Sequence, residues 1–172
     1  MLSGKRRKTT FSNMGPVPML PIHKIVCPTD FSEASYEALD TAIELAAHFH
    51  AELCLAHVIP PAPPIPADPA YVFQGPETYS QELQADAETR LKAVMENRIP
   101  RGLPARAAIA HGDAATEIVQ IADTEAAEVI VISTHGLTGW RHLVFGSVAE
   151  KVVRLARRPV LVIPTSHPES NS

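Results

Sequence analysis

The chain has 172 residues, 45% of them apolar and 20% charged, with a formal net charge of −4 and a pI near 6.0. That length suits one domain with one core, and the apolar fraction is enough to cover both faces of a sheet. The mildly acidic balance argues against a nucleic-acid or membrane-surface protein, since either needs a concentrated basic face.

The N-terminal stretch carries one basic cluster, Lys5-Arg6-Arg7-Lys8, with no hydrophobic periodicity around it. So short a run reads as a solvated extension before it reads as an interaction tail, and residues 1–20 are expected to be a disordered tail. No apolar run approaches the roughly 20 residues that span a bilayer. Asn13, Gly15 and nearby prolines interrupt the stretch after the basic cluster, so no secretory h-region is read there. Cys27 and Cys54 both sit in apolar, strand-like runs, which fits buried thiols in a reducing compartment and an expected cytoplasmic location.

Ordered structure is expected from about Ile22, and the domain over residues 21–165, with 166–172 a tail. Ile22 to Cys27 is short, apolar and followed by Pro28: a buried strand that stops abruptly. Asp30 or Ser32 then caps a helix bearing Ala38, Leu39, Ala42, Leu45, Ala46 and Phe49 at helical spacing. Leu53 to Ile59 is a second strand, and a proline-rich loop is expected over 60–78. Leu83, Ala87, Leu91 and Val94 mark one face of a polar second helix. Ala105 to Ala110 is a weak strand ended by His111-Gly112, and Asp113 caps a third helix carrying Ile118, Val119 and Ala122. Val129 to Ile132 is an all-β-branched strand, a glycine-bearing loop follows, and Pro159 to Ile163 closes the series. Between them Ser147-Val148-Ala149-Glu150 matches a capping box opening the last helix. Apolar strands alternating with helices imply an α/β fold, a doubly wound five-stranded parallel sheet with helices on both faces.

In such a sheet ligands bind beyond the carboxyl ends of the strands, where the strand order reverses. Three segments would meet there: Pro28-Thr29-Asp30, His57-Val58-Ile59, and the loop from Ser133 to Ser147. Glycines let backbone amides converge on an anion, and a helix start adds unpaired N–H groups and a positive dipole end. The loop thus has the parts of a phosphate cradle, although a tight strand-to-helix turn would show the same glycines. There is no G-x-x-x-x-G-K-[ST] run and no G-x-G-x-x-G after the first strand.

The stretches HKIVCPTDFSEAS (23–35) and VIVISTHGLTGWRHLVFGSVAEKVVRLARRPVLVIP (129–164) resemble the two ends of a universal stress protein domain, and the likeness in element order covers about 22–164. The nucleotide-binding branch of that family has glycine, two residues, glycine, nine residues, then glycine before serine or threonine. Here Gly136, Gly146 and Ser147 match the later positions, with His135 and Gly139 in the same loop, and Ser133 stands at the first glycine. The resemblance implies a site for an adenine nucleotide, ATP or AMP with Mg²⁺. In it Pro28, Thr29 and Asp30 lie by the ribose or phosphates, Val58 offers backbone groups to the adenine edge, and Ser147 and Val148 face the terminal phosphates. Asp30 has helix capping as its other role, or it positions a water on Mg²⁺. Arg141 either neutralises phosphate or is a solvent-facing loop arginine, and Trp140 either stacks on a base or covers an apolar patch. A hydroxyl at Ser147 that caps the helix is not free to bind phosphate.

His57, His111 and His135 lie near strand ends, yet nothing fixes a tetrahedral metal set with them. Three functions remain in view: a nucleotide-binding stress protein using ATP or AMP as a regulatory ligand, a slow ATPase or adenylate-transferring enzyme, and a structural dimer without nucleotide. No Ser-His or Cys-His pair stands at readable spacing, and Asp30 is expected at the opposite strand end from the cradle, so the enzyme reading is the weaker. A homodimer through Pro159 to Ile163, an apolar edge strand, is expected.

Overall fold

The computed structural model describes residues 20–61, 76–134 and 146–164. Its elements follow in the order β1 (Lys24–Pro28), α1 (Glu33–Phe49), β2 (Glu52–Ile59), α2 (Pro76–Arg98), β3 (Ala105–His111), α3 (Ala114–Thr124), β4 (Val129–Ser133), α4 (Ser147–Leu155) and β5 (Val160–Ile163). The five strands are all parallel, in the order β3-β2-β1-β4-β5, so the order reverses between β1 and β4. β3 and β5 are the edges.

Side chains alternate across a strand, and the register divides the core in two. Ile25, Cys27, Leu53, Leu55, Val129 and Val131 share one face with Leu39, Ala42 and Ala46 of α1 and Leu91 and Val94 of α2. Val26, Cys54, Ala56, Ile130 and Ile132 share the other with Ala115, Ile118 and Ala122 of α3 and Ala149 and Val152 of α4. Both cysteines are buried, one on each face, and burial pushes the Cys27 thiol up to about 12 and the Cys54 thiol upward as well.

Two local expectations need correction, and the choice between Asp30 and Ser32 as the cap of α1 is decided. The helix α2 starts at Pro76, so the loop expected over 60–78 ends before it; the fixed φ of proline suits a first helical position, where its missing N–H has no partner to lose. Residues 62–75 lie outside the described residues. Helix α1 is capped by Ser32, whose hydroxyl accepts from the Ser35 amide, rather than by Asp30. Helix α4 has Gly146 at its cap with no side-chain cap bond, so the capping box on Ser147 and Glu150 is not formed. Glu150 is one position too far along, and its amide instead donates to the Gly146 carbonyl in the first helical bond.

Candidate functional site

The crevice begins with a proline. The Thr29 amide donates to Ala56 O of β2, so by alternation residue 28 faces β4. Pro28 has no N–H to give in that direction, and the pairing of β1 with β4 stops at Val26 opposite Ile130. The two central strands therefore part at their carboxyl ends, where an open α/β sheet holds its ligands.

On the β1 side the chain folds into a tight polar turn. Buried Thr29 accepts the Phe31 amide on Oγ1 at 3.0 Å and shares a 3.0 Å bond with the Ser35 hydroxyl. Asp30 Oδ1 accepts from both the Ser32 amide (3.1 Å) and the Ser32 hydroxyl (2.5 Å). Asp30 thus braces the residue that caps α1. Phe31 holds φ 65, in the left-handed region that costs a bulky residue about 1–2 kcal/mol. Such strain persists only where neighbours over-determine it, and it sits beside the one carboxylate of the turn.

On the β4 side, Ser133 ends the strand opposite Ile163 of β5, and it is half-buried. Continuing the β1–β4 register by three residues places Thr29 level with Ser133, and Asp30 with Thr134. Asp30 and the start of the loop after β4 therefore lie at the same carboxyl end of the parallel sheet, which corrects the expectation that they come from opposite strand ends. Buried Thr134 donates its amide to Ile163 O at 2.9 Å and accepts from the Gly146 amide at 2.5 Å, tying the two ends of the intervening loop together. His135, Gly136, Gly139, Trp140 and Arg141 lie outside the described residues.

Helix α4 begins at that tie. Gly146 has φ −68 and ψ 149, extended backbone open to any residue, so its glycine is not required by a positive φ. Gly146 has no side chain with which to cap α4, and Ser147 and Val148 are both exposed at its first turn. The conflict over the Ser147 hydroxyl disappears, since Gly146 holds the cap position. Lys151, one turn on, makes two 2.9 Å contacts to Asp113, the N-cap of α3, and so pins this end of α4. The two contacts and the Thr116 bonds hold the Asp113 carboxyl down at about 2.

The end of β2 supplies the third wall. Pro28 pairs with Ala56, so His57, Val58 and Ile59 run on past β1, paired only with Ile109, Ala110 and His111 of β3. His57 Nδ1 reaches back 2.8 Å to the Thr29 carbonyl, while His111 Nε2 meets Gln84 of α2 at 2.8 Å. Among the described residues there is no group of three side chains able to hold a metal ion. Sequence reasoning missed Thr134, the strain at Phe31 and the His57 bond, because the last depends on strand register and the others on backbone geometry rather than on residue type. A threonine after the β4 strand was the only visible signal for Thr134.

The model of the universal stress protein family matches residues 21–164. The chain belongs to that family. Universal stress protein MJ0531 of Methanocaldococcus jannaschii is 36% identical over 142 residues, covering 81% of either chain. Universal stress protein YxiE of Bacillus subtilis is 29% identical, covering 82% of this chain and 98% of its own length. Among solved structures, MJ0577 of M. jannaschii superposes with a TM-score of 0.72 at 27% identity, covering 85% of this universal stress protein and 98% of that chain. The α/β architecture of the family and of this chain is the same. No described helix is long and apolar enough to cross a membrane.

Proposed function

We propose that this universal stress protein binds an adenine nucleotide, ATP or AMP, at the carboxyl edge of its sheet, as a regulatory ligand in stress adaptation. One observation supports the reading: the Gly146 amide bond to Thr134 O sets the N-terminus of α4 at the carboxyl end of β4, beside the point where β1 and β4 stop pairing. Anions are held at such helix starts by unpaired amides and the dipole. Two structures of the same fold, at 24% and 21% identity, hold cAMP and dAMP; the second is from Archaeoglobus fulgidus. They support the class of ligand through fold alone.

In this reading Thr29 and Asp30 stand by the ribose, Val58 by the base, and Gly146, Ser147 and Val148 by the phosphates, with Ser133, His135, Gly136, Gly139 and Arg141 completing the loop. Pro28 contributes by parting the strands. Asp30 is the carboxylate that would hold Mg²⁺, through its water shell, beside the phosphates. Ser133 adds a Cβ and a hydroxyl where the family pattern has glycine. Calorimetry with ATP and AMP tests the proposal. Gly136→Val and Gly146→Val should each abolish binding, the latter by filling the cradle and not by straining an extended backbone. Ser133→Gly should keep or strengthen it. Absence of affinity in both the parent and Ser133→Gly would overturn the nucleotide reading.

The nucleotide acts without rapid turnover. Phosphoryl transfer needs positioned charge around the terminal phosphate and an oriented nucleophile. Asp30 already accepts two bonds on Oδ1 from Ser32, which holds it as a brace rather than as a base for water. Phosphate release from Mg²⁺-ATP is expected well below about one per second, the low end for ordinary enzymes. Turnover at or above that rate, lost in Asp30→Ala, would make the protein an enzyme.

A further inference from the structure

One side chain joins two walls of the crevice. His57 stands on β2 immediately before Val58, and its Nδ1 lies 2.8 Å from the Thr29 carbonyl. A carbonyl oxygen can only accept, so Nδ1 carries the proton and donates. That carbonyl belongs to the peptide plane leading into Asp30, so the bond fixes the orientation from which Asp30 departs. The same imidazole lies against Phe31, ring centroids 4.5 Å apart and tilted by 38°. The Arg90 guanidinium of α2 sits 4.1 Å from the Phe31 centroid, within cation–π range. Phe31, strained at φ 65, is thus held by the hydrogen bond its N–H donates to Thr29 Oγ1 and by two ring contacts.

We propose that His57 is a positioning residue for the nucleotide site, setting the Thr29–Asp30–Phe31 turn at a fixed distance from the Val58 end of β2 through one hydrogen bond and one ring contact. It matches the ribose contact on β1 to the base contact on β2, which leave the sheet on different strands. The assignment rests on the nucleotide reading above. A histidine that merely filled space would affect stability and affinity in proportion; a positioning histidine affects affinity through its donor.

Two variants separate these roles. His57→Asn keeps an N–H near the Nδ1 position and gives up the ring, whereas His57→Phe keeps a ring and gives up the donor. AMP affinity, read by calorimetry, should fall about tenfold in His57→Phe and stay within about threefold in His57→Asn, the scale of one net hydrogen bond. Their thermal midpoints should not follow that order. Without nucleotide, amide exchange at Phe31 and Ser32 should quicken in His57→Phe and remain near the parent rate in His57→Asn. In the parent, nitrogen NMR of the ring should show the Nδ1–H tautomer and a shift on AMP addition with the midpoint of binding. Equal affinities in all three proteins, or a His57 ring unmoved by bound AMP, would overturn the proposal. If the parent binds neither AMP nor ATP, the nucleotide reading falls; unchanged exchange at Phe31 and Ser32 in His57→Phe then overturns the positioning of the turn as well.

Discussion

Asp113 shows how one residue can serve a fold and steady a site. As N-cap of α3 it accepts the Thr116 amide and hydroxyl, at 3.0 and 2.7 Å, and it also takes the Lys151 ammonium of α4. Those bonds favour the charged carboxylate and lower its folded value from 3.8 to about 2. The sign follows from linkage: a depressed acid contributes stability that is fully present above its unfolded value and is lost as pH falls through the folded one. The urea midpoint should therefore carry an acid-side slope between about pH 4 and 2 that Asp113→Asn flattens, because asparagine still caps but cannot titrate. An identical slope in parent and variant would show that Lys151 does not anchor α4 through this carboxylate. Because Lys151 ties α4 to Asp113, the same variant should also loosen amide protection in the first turn of α4.

Among the elements, α2 was the hardest to bound from sequence and α1 the easiest. In α1, Ala38, Leu39, Ala42 and Ala46 all end fully buried, and Ser32 supplies a visible cap. Helix α2 is mostly polar, with one stripe of Leu83, Ala87, Leu91 and Val94 of which the last three end buried, so its existence was legible from that stripe while its start was not. Pro76 looked like the end of a proline-rich loop and is the first helical residue instead. Leu91 is the test of how much that narrow stripe carries: at 2% exposure, Leu91→Ala should destabilise by about 2–5 kcal/mol in chemical denaturation. Lys92→Ala, next door on the solvent face, should change stability by less than about 0.5 kcal/mol. The parallel α/β class, the order of elements along the chain and the edge position of the last strand were legible because apolar runs alternated with helical stripes. The cap of α4 was misplaced by one residue because Ser147 and Glu150 satisfy a capping box in letters, and only backbone geometry shows Gly146 in the cap. The His57 bond was invisible for a related reason, since it depends on β2 outrunning β1 by three residues.

At the scale of the whole molecule, no strand pairs with the far side of β5 among the described residues, and we expect a second copy to cover it. Pro159 O and Ile163 O both accept from the β4 side, so by alternation Val160 and Val162 turn their N–H and C=O groups to the side away from β4. Leu161 is 39% exposed on that strand, and Val153 and Leu155 of α4 are 47% and 45% exposed. An apolar edge with unpaired backbone is an aggregation hazard unless it is covered. A second copy related by a two-fold axis covers it by antiparallel pairing of β5 with β5, each Val162 meeting the other strand. Four strand residues bury too little alone, since stable interfaces cover about 800 Å² per partner, so the exposed residues of α4 must be drawn in as well. We therefore expect a homodimer at micromolar concentration by sedimentation. Leu161→Lys should dissociate it by placing charge in the seam. Val162→Pro should do the same by removing an outward donor while leaving the bonds to β4 intact, a change that an isolated edge strand tolerates. A parent that sediments as a monomer would overturn the dimer. A dimer unmoved by both substitutions would place the contact on another face, and the proposed nucleotide site between β1 and β4 would be unaffected by either result.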